Sequence, residues 1–295
     1  MAERIQDQWA RWLLQRRHGG DPQVQKAMLD ELSHVRDTVL QNAQVAAGNT
    51  LLDVGAGDGL IAFGALPLVG EQGTVIVSDI SQELLDHCQA IAARMGVLDR
   101  CRFLRASADD LSTLENASVD VVTTRSVLIY VPAKQRAYEE FFRVLKPGGR
   151  LSICEPINRF AYPEPSHLFL GYDVTPVQDL AAKVKAVYER LQPPDTDPML
   201  DFDERDLLTF VEKAGFGDIH LELRADITCT HPERWDTFLR QSGNPKIPTH
   251  EEALQEALSP AEAEQFAAHL RPLVEKGQGT RRMALAYLWA VKQAT

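Results

Sequence analysis

Between Thr50 and Cys154, five short apolar runs, TLLDV, GTVIVSD, CRFLRA, VDVVTT and GRLSICE, alternate with longer stretches of helical period. Alternation of this kind is the pattern of βαβ units, in which successive strands lie parallel and each crossover helix covers a face of the sheet. Crossover helices are expected at Leu60 to Val69, Ser81 to Met95 and Ala133 to Leu145. In the second, Leu84, Leu85, Cys88, Ile91, Ala92 and Met95 recur at helical spacing behind Ser81 as N-cap. The third ends at KPGG, where Lys146 suits a helix C-terminus and Pro147, Gly148 and Gly149 turn the chain into the next strand.

The flanks read differently. Residues 1–45 hold two helical patterns separated by HGGDP, with Asp21 placed to cap the second and Pro22 in its first turn. Residues 156–200 are rich in proline and aromatics, then helical from Thr175 to Leu191, then broken at PPDTDP. Phe202 to Ala214 reads as a helix and GDIHLELRADITC as a long strand. Pro232 to Lys276 is mainly helical with a break at GNPKIP, and RRMALAYLWAVKQ is apolar enough for a central strand.

Composition excludes several classes. Of 295 residues, 44% are hydrophobic and 25% charged, as in ordinary globular proteins. The net charge of −11 argues against non-specific nucleic-acid binding, which needs a basic face. No apolar run approaches the roughly 20 residues that cross a bilayer, and the N-terminus lacks the apolar core of a secretory signal, so a cytoplasmic protein without stable membrane insertion is expected. The four cysteines, Cys88, Cys101, Cys154 and Cys229, show no CxxC spacing, so no metal site or disulfide framework is expected.

The first strand runs into LLDVGAGDGL, with glycines at Gly55, Gly57 and Gly59. A strand entering a glycine turn and then a helix offers backbone N–H donors and room for close approach of a ligand. Dinucleotide-binding turns share this layout, with the spacing Gly-x-Gly-x-x-Gly and a pyrophosphate on the helix. Here the spacing differs, and the acids Asp53 and Asp58 flank the turn, which favours a cationic ligand over a phosphate. Asp79 closes the second strand about 20 residues beyond the last glycine, where a carboxylate accepts both hydroxyls of a ribose or else caps the next helix.

LLDVGAGDG, Asp79, RASADDL, VDVVTTRSVLIYV and FFRVLKPGGRLSICEP, in this order, resemble the class I S-adenosylmethionine-dependent methyltransferases, in particular the small-molecule branch similar to ubiquinone and menaquinone biosynthesis enzymes. The resemblance covers residues 50–156. It implies an α/β fold: a Rossmann-like seven-stranded mixed sheet, its last strand antiparallel, with helices on both faces and helical cap insertions. It implies a core of residues 46–156 and 202–295, an N-terminal helical lid of residues 1–45, and helical caps at 157–201 and 232–280.

Carried over residue by residue, the resemblance places Gly55, Ala56 and Gly57 against the methionine end of the cofactor, S-adenosylmethionine, with Asp53 towards its amino group. Asp79 holds the ribose and Ile80 packs on the adenine, which Ser107, Ala108 and Asp109 flank. Many relatives have an aspartate where this chain has Ser107, so the amine contact passes to Asp109 or to backbone. Thr124, Arg125 and Ser126 run under the methionine portion towards the substrate. The expected reaction is methyl transfer, leaving S-adenosylhomocysteine, to oxygen or carbon of a small, largely apolar or aromatic metabolite. Alternatives are a nicotinamide-dependent oxidoreductase and a methyltransferase-like fold that binds the cofactor without methyl transfer. Arsenic methylation needs gathered thiolates, which the scattered cysteines do not supply.

In-line displacement at a sulfonium depends mainly on positioning, and a general base is required only if the acceptor must lose a proton. Candidate bases or orienting groups are Tyr130, Glu155 and His167, with Tyr172 and Trp12 as substrate contacts. Trp9, Trp12 and Leu13 form an apolar patch at helical spacing that either docks the N-terminal helix on the body or another subunit, or closes over the site. The N-terminal helices and residues 232–280 are the candidate surfaces for a homo-oligomer.

Overall fold

The computed structural model describes residues 7–293; the outermost residues of the expected lid and core, 1–6 and 294–295, lie outside the described residues. A helical segment, Gln8–Arg11, continues as a wider turn, Trp12–Arg16, and is followed by α1 (Pro22–Asn42). Then come β1 (Thr50–Val54), α2 (Leu60–Val69), β2 (Thr74–Asp79), α3 (Gln82–Met95), β3 (Cys101–Arg105), β4 (Val119–Arg125), α4 (Lys134–Val144) and β5 (Leu145–Pro156). The remainder holds α5 (Gln178–Leu191), α6 (Glu204–Lys213), β6 (Gly217–Cys229), α7 (Trp235–Arg240), α8 (His250–Ala257), α9 (Pro260–Lys276) and β7 (Thr280–Val291).

The strands form one seven-stranded mixed sheet in the order β3-β2-β1-β4-β5-β7-β6. Strands β1 to β5 pair in parallel, and β7 pairs antiparallel with β5 from Arg150↔Val291 to Pro156↔Leu285. The α/β architecture expected from the sequence, with its antiparallel last strand, is therefore present. Ser81 caps α3 by accepting from the Leu84 N–H at 3.1 Å, and Asp21 caps α1 by accepting from the Gln23 N–H at 2.9 Å.

The KPGG segment differs from expectation. It belongs to β5, as an excursion that shifts the register against β4 between Val119 and Val121. Lys146 does not serve the helix end: its Nζ donates to both carboxylate oxygens of Asp120, at 2.8 and 2.9 Å, fastening the excursion to β4.

The chain divides into two compact units. One comprises Leu29–Ile157, Phe202–Arg224 and Leu285–Thr295. On one face of its sheet, Leu51, Val75, Val77 and Val121 pack against Val35 and Val39 of α1, Ile61, Ala65 and Leu66 of α2, and Leu85 and Cys88 of α3. The Ser152 hydroxyl donates to the Val39 carbonyl at 2.8 Å, which ties α1 to the sheet. Because side chains alternate along a strand, Leu52, Ile76, Val122 and Leu151 face the other way, and all are at most 2% exposed, so the opposite face is covered too.

The other unit comprises Met1–Met28, Asn158–Asp201 and Ala225–Ala284. Its core joins Val177, Ala181, Val184 and Val187 around α5 with Trp235, Phe238, Leu254, Phe266 and Leu270 of α7 to α9. A short hairpin, Leu168–Phe169 with Tyr172–Asp173, inserts Phe169 and Tyr172 into this core. No helix among the described residues is long and apolar enough to cross a membrane.

Candidate functional site

The parallel strands end on one edge of the sheet, and β1, β2 and β4 are adjacent there. The turn after β1 places Gly55, Gly57 and Gly59 at φ of 65°, 60° and 86°, a region that L side chains rarely adopt. At Gly55 there is a second reason for glycine. A Cβ would lie 2.3 Å from Cγ2 of Val127, in the loop after β4.

Asp53 and Asp79 clamp this turn from two sides. Asp53 is 2% exposed; its carboxylate accepts from the Ala62 N–H in the first turn of α2 at 3.0 Å and from the Thr123 hydroxyl at 3.0 Å. One donor at the helix N-terminus is thus already taken by a carboxylate, at the place where a dinucleotide fold presents donors to phosphate. Burial pushes the Asp53 carboxyl up to about 7, against the opposing pull of Thr123, Ala62 and the Arg125 charge. Asp79 accepts from the N–H groups of Gly57 and Ser81, both at 2.9 Å. The N-cap of α3 is Ser81 itself, so the role left open for Asp79, that of helix cap, is filled by its neighbour.

Around the Asp79 end, Ile80 is 43% exposed, an apolar side chain presented beside a buried acid. Arg105 donates to the Ile80 carbonyl at 3.1 Å, and the Ala106 N–H donates to the Asp79 carbonyl at 3.1 Å, which holds the segment after β3 alongside. There the Ser107 hydroxyl donates to the Asp109 carboxylate, and Ala108 is buried. At the position where the resemblance implies an aspartate, this chain has a serine bonded to an aspartate two residues on.

Near the end of β4, Thr124 is fully buried and its hydroxyl has no hydrogen-bond partner. Ser126 takes a left-handed conformation, φ 55°, with its N–H on the Cys154 carbonyl at 2.9 Å. The following loop hangs on one side chain. Glu155, at the end of β5 and 0% exposed, accepts from Val127 and Leu128 N–H at 3.0 and 3.1 Å and from Ile129 N–H at 3.2 Å. Burial raises its carboxyl to about 7, while those three donors and Arg125 favour the ionised form. Its carboxylate is committed to the backbone that carries Val127 onto Gly55. Tyr130, half-buried, ends the short helical turn that follows.

The sheet unit thus gathers Asp53, Gly55 to Gly57, Asp79, Ile80, Ser107 to Asp109, Thr124, Arg125, Tyr130 and Glu155. The other three candidates belong to the helical unit. His167 is exposed, and its carbonyl accepts from the Val174 N–H at 2.8 Å. Tyr172 is 4% exposed and packs edge to face with Phe238 at 6.2 Å, a core position. Trp12 donates from Nε1 to the Ser242 carbonyl at 2.9 Å, and Arg16 forms two bonds to Glu252 at 2.7 and 3.0 Å, so the N-terminal helical segment is docked on its own unit. Among the described residues no group of His, Cys, Asp or Glu is arranged to hold a metal ion.

A model of the ubiE/COQ5 methyltransferase family matches residues 29–233, more than two thirds of the chain and the whole of this site. The chain belongs to that family. Among curated relatives, the ubiquinone/menaquinone biosynthesis C-methyltransferase UbiE of Marinomonas sp. is 35% identical over 138 residues, 47% of this chain and 53% of that protein. UbiE of Klebsiella pneumoniae is 29% identical over 194 residues, 63% of this chain and 74% of that one. The chain spans about half the length of the first curated relatives it matches. Solved structures share the fold: a Bacillus halodurans C-125 protein (TM-score 0.54, 19% identity, covering 88% of this chain and 99% of that one) and YcgJ of Bacillus subtilis (TM-score 0.54, 15%, covering 89% and 99%). The cyclase SpnF has it too, at a TM-score of 0.50 and 20% identity, covering 89% of this chain and 81% of that one. Residues 234–295 lie outside the family model.

Two contributors to the site carry no signal in the sequence. The Thr123 hydroxyl meets Asp53 only because β1 and β4 pair in a register that puts those residues side by side. The Cys88 thiol, from α3, donates to the Gly57 carbonyl at 3.3 Å. In the helical unit, the buried His250 Nδ1 lies 3.0 Å from the Tyr188 hydroxyl, and burial lowers this histidine to about 4.

Proposed function

We propose that this protein is an S-adenosylmethionine-dependent methyltransferase acting on a carbon or oxygen of a small, largely apolar or aromatic molecule. The observation that carries the reading is the occupied helix N-terminus: Asp53 sits on the Ala62 N–H, which puts a carboxyl group where a dinucleotide would put its pyrophosphate. A ligand with ammonium and sulfonium charges suits that place. The residues present fit this cofactor on two further counts, the orphaned Thr124 hydroxyl and the apolar face of Ile80 beside Asp79.

S-adenosylmethionine, when bound, supplies an electrophilic methyl group. The chain's own residues then bind and orient: Asp79 accepts from the ribose hydroxyls, Ile80 covers the adenine, Ser107 to Asp109 border it, and Asp53 with Gly55 to Gly57 receives the amino acid end. Glu155 acts through the backbone it holds, keeping Val127 against Gly55. Within the sheet unit, Tyr130 is the candidate for moving or orienting a proton on the acceptor. The relatives are named for C-methylation in quinone biosynthesis, which supports an electron-rich ring carbon as acceptor; such a carbon loses its proton after attack and needs only a weak base.

Calorimetric titration with S-adenosylhomocysteine and with NADH tests the cofactor. Tight binding of the first and none of the second supports the reading, and the reverse sinks it. Mass spectrometry of prenylated phenols incubated with enzyme and S-adenosylmethionine tests transfer: a gain of one methyl supports it. Cofactor binding with no transfer to any phenol or hydroxyquinone favours a non-methylating role on this fold, as the cyclase sharing it illustrates.

A further inference from the structure

Strand β6 is the terminal strand of the sheet and spans Gly217–Cys229, long for an edge. Edge strands carry unpaired backbone groups along their open side, and proteins ordinarily shorten, bulge or cover them. This one is exposed over most of its length, and it displays two large apolar side chains, Leu223 at 44% and Ile227 at 58% exposure. Its order of residues, DIHLELRADIT from Asp218 to Thr228, sets charged groups opposite a group of the other sign or a histidine at mirror positions about Leu223, Asp218 apart.

We propose that β6 pairs antiparallel with β6 of a second copy of this chain, across a two-fold axis through Leu223. Two-fold pairing of identical strands sets residue i opposite residue j with a constant sum, and directly opposed side chains point to the same face. Centred on Leu223, the pairing places Glu222 opposite Arg224, His220 opposite Asp226, Ile219 opposite Ile227 and Leu221 opposite Ala225. Every charged group except Asp218, which meets Thr228, then faces an opposite charge or a histidine, and every apolar group faces an apolar one.

Neighbouring registers do the reverse. Centred on Glu222, that residue meets its own copy, His220 meets Arg224 and Asp218 meets Asp226. Centred on Arg224, the two arginines meet and Glu222 meets Asp226. Like charges directly opposed destabilise a sheet, so the complementarity both names the occupant and selects one alignment. A partner strand of unrelated sequence has no reason to match this pattern. Arg224 and Asp226 also interact within their own chain; the pairing asks only that their charges lie along the strand.

Sedimentation velocity of the full chain from nanomolar to high micromolar concentration reads the assembly, with circular dichroism to verify the fold of each variant. The wild type is expected to dimerise. Glu222→Arg and Arg224→Glu should each weaken the dimer roughly tenfold or more, because two-fold symmetry turns each change into two like-charge pairs. The double exchange, Glu222→Arg with Arg224→Glu, should restore it. In the wild type, hydrogen exchange of the 217–229 peptides should slow as concentration rises, a readout that needs no variant. A chain that stays monomeric, a dimer indifferent to the single changes, a double exchange that does not rescue, or exchange independent of concentration overturns the proposal.

Discussion

On the proposed reading, in which Asp53 receives the amino acid end of the cofactor, binding is coupled to the titration of Asp53. Its carboxyl stands at about 7 in the ligand-free chain because burial penalises the charge. A cationic group arriving nearby favours the ionised form. With a pKa near 7, about one tenth of the molecules carry the charge at pH 6 and about nine tenths at pH 8, so affinity should rise about tenfold across that interval, or ~1.4 kcal/mol. The sign follows from the protons: the free protein holds more than the complex, so binding releases protons and strengthens as pH rises. Calorimetry with S-adenosylhomocysteine, run at each pH in two buffers of different ionisation enthalpy, gives both affinity and proton count. The ligand's amine and Glu155 also titrate, and Asp53→Asn separates them from Asp53. An asparagine at that position accepts from Ala62 with its carbonyl and donates to Thr123 with its amide, so the local bonds survive while the titration is removed. If Asp53→Asn shows the same pH slope as wild type, or if the wild type takes up protons on binding, the reasoning fails.

Removing the second acid, Asp79→Ala, should cost about 1–3 kcal/mol of cofactor affinity through lost charge-assisted hydrogen bonds; unchanged affinity in a folded variant counts against the ribose assignment. Gly55→Ala, forced into φ 65° and against Val127, should lower stability by about 1–3 kcal/mol in chemical denaturation. Adding Val127→Ala should return only the steric part, and full recovery would contradict a strained backbone. Glu155 is raised from 4.5 to about 7 in the fold, so the native state holds a proton that the unfolded chain has lost. Relative to Glu155→Gln, the wild type should therefore lose up to about 3 kcal/mol as pH rises from 4.5 to 7; a constant difference across that range refutes the shift.

Most of what positions the site is local and was legible for that reason. A five-residue apolar run followed by alternating glycines dictates strand, turn and helix without reference to the rest of the chain, and Ser81 signals its own cap. The partners of the buried acids are not local. Asp53 meets a hydroxyl 70 residues away, and Glu155 reaches back 26 to 28 residues to three amides. Both contacts depend on strand order and register, which apolar period alone does not encode. A glutamate closing a strand therefore reads equally as a base or as an anchor until its hydrogen bonds are seen. The KPGG segment misleads for a related reason. Its turn residues announce a reversal, but pairing with β4 absorbs them into the strand, and Lys146 finds Asp120 there in place of a helix end.

The acids at the turn also act on a buried thiol beside it. The Cys88 thiol is pushed up to about 12, first by burial and then by the carboxylates of Asp58, Asp53 and Asp79. A thiolate is itself an anion, so each of these acids disfavours it for the reason it would disfavour a phosphate. With its Sγ on the Gly57 carbonyl, this side chain samples the field beside the glycine turn itself. The acids Asp58, Asp53 and Asp79 thus oppose an anion at the same backbone that a dinucleotide-binding protein leaves positive. The glycines open space for a ligand of either charge; the acids around them decide which charge is stabilised, and a ligand carrying a sulfonium and an ammonium is favoured by both.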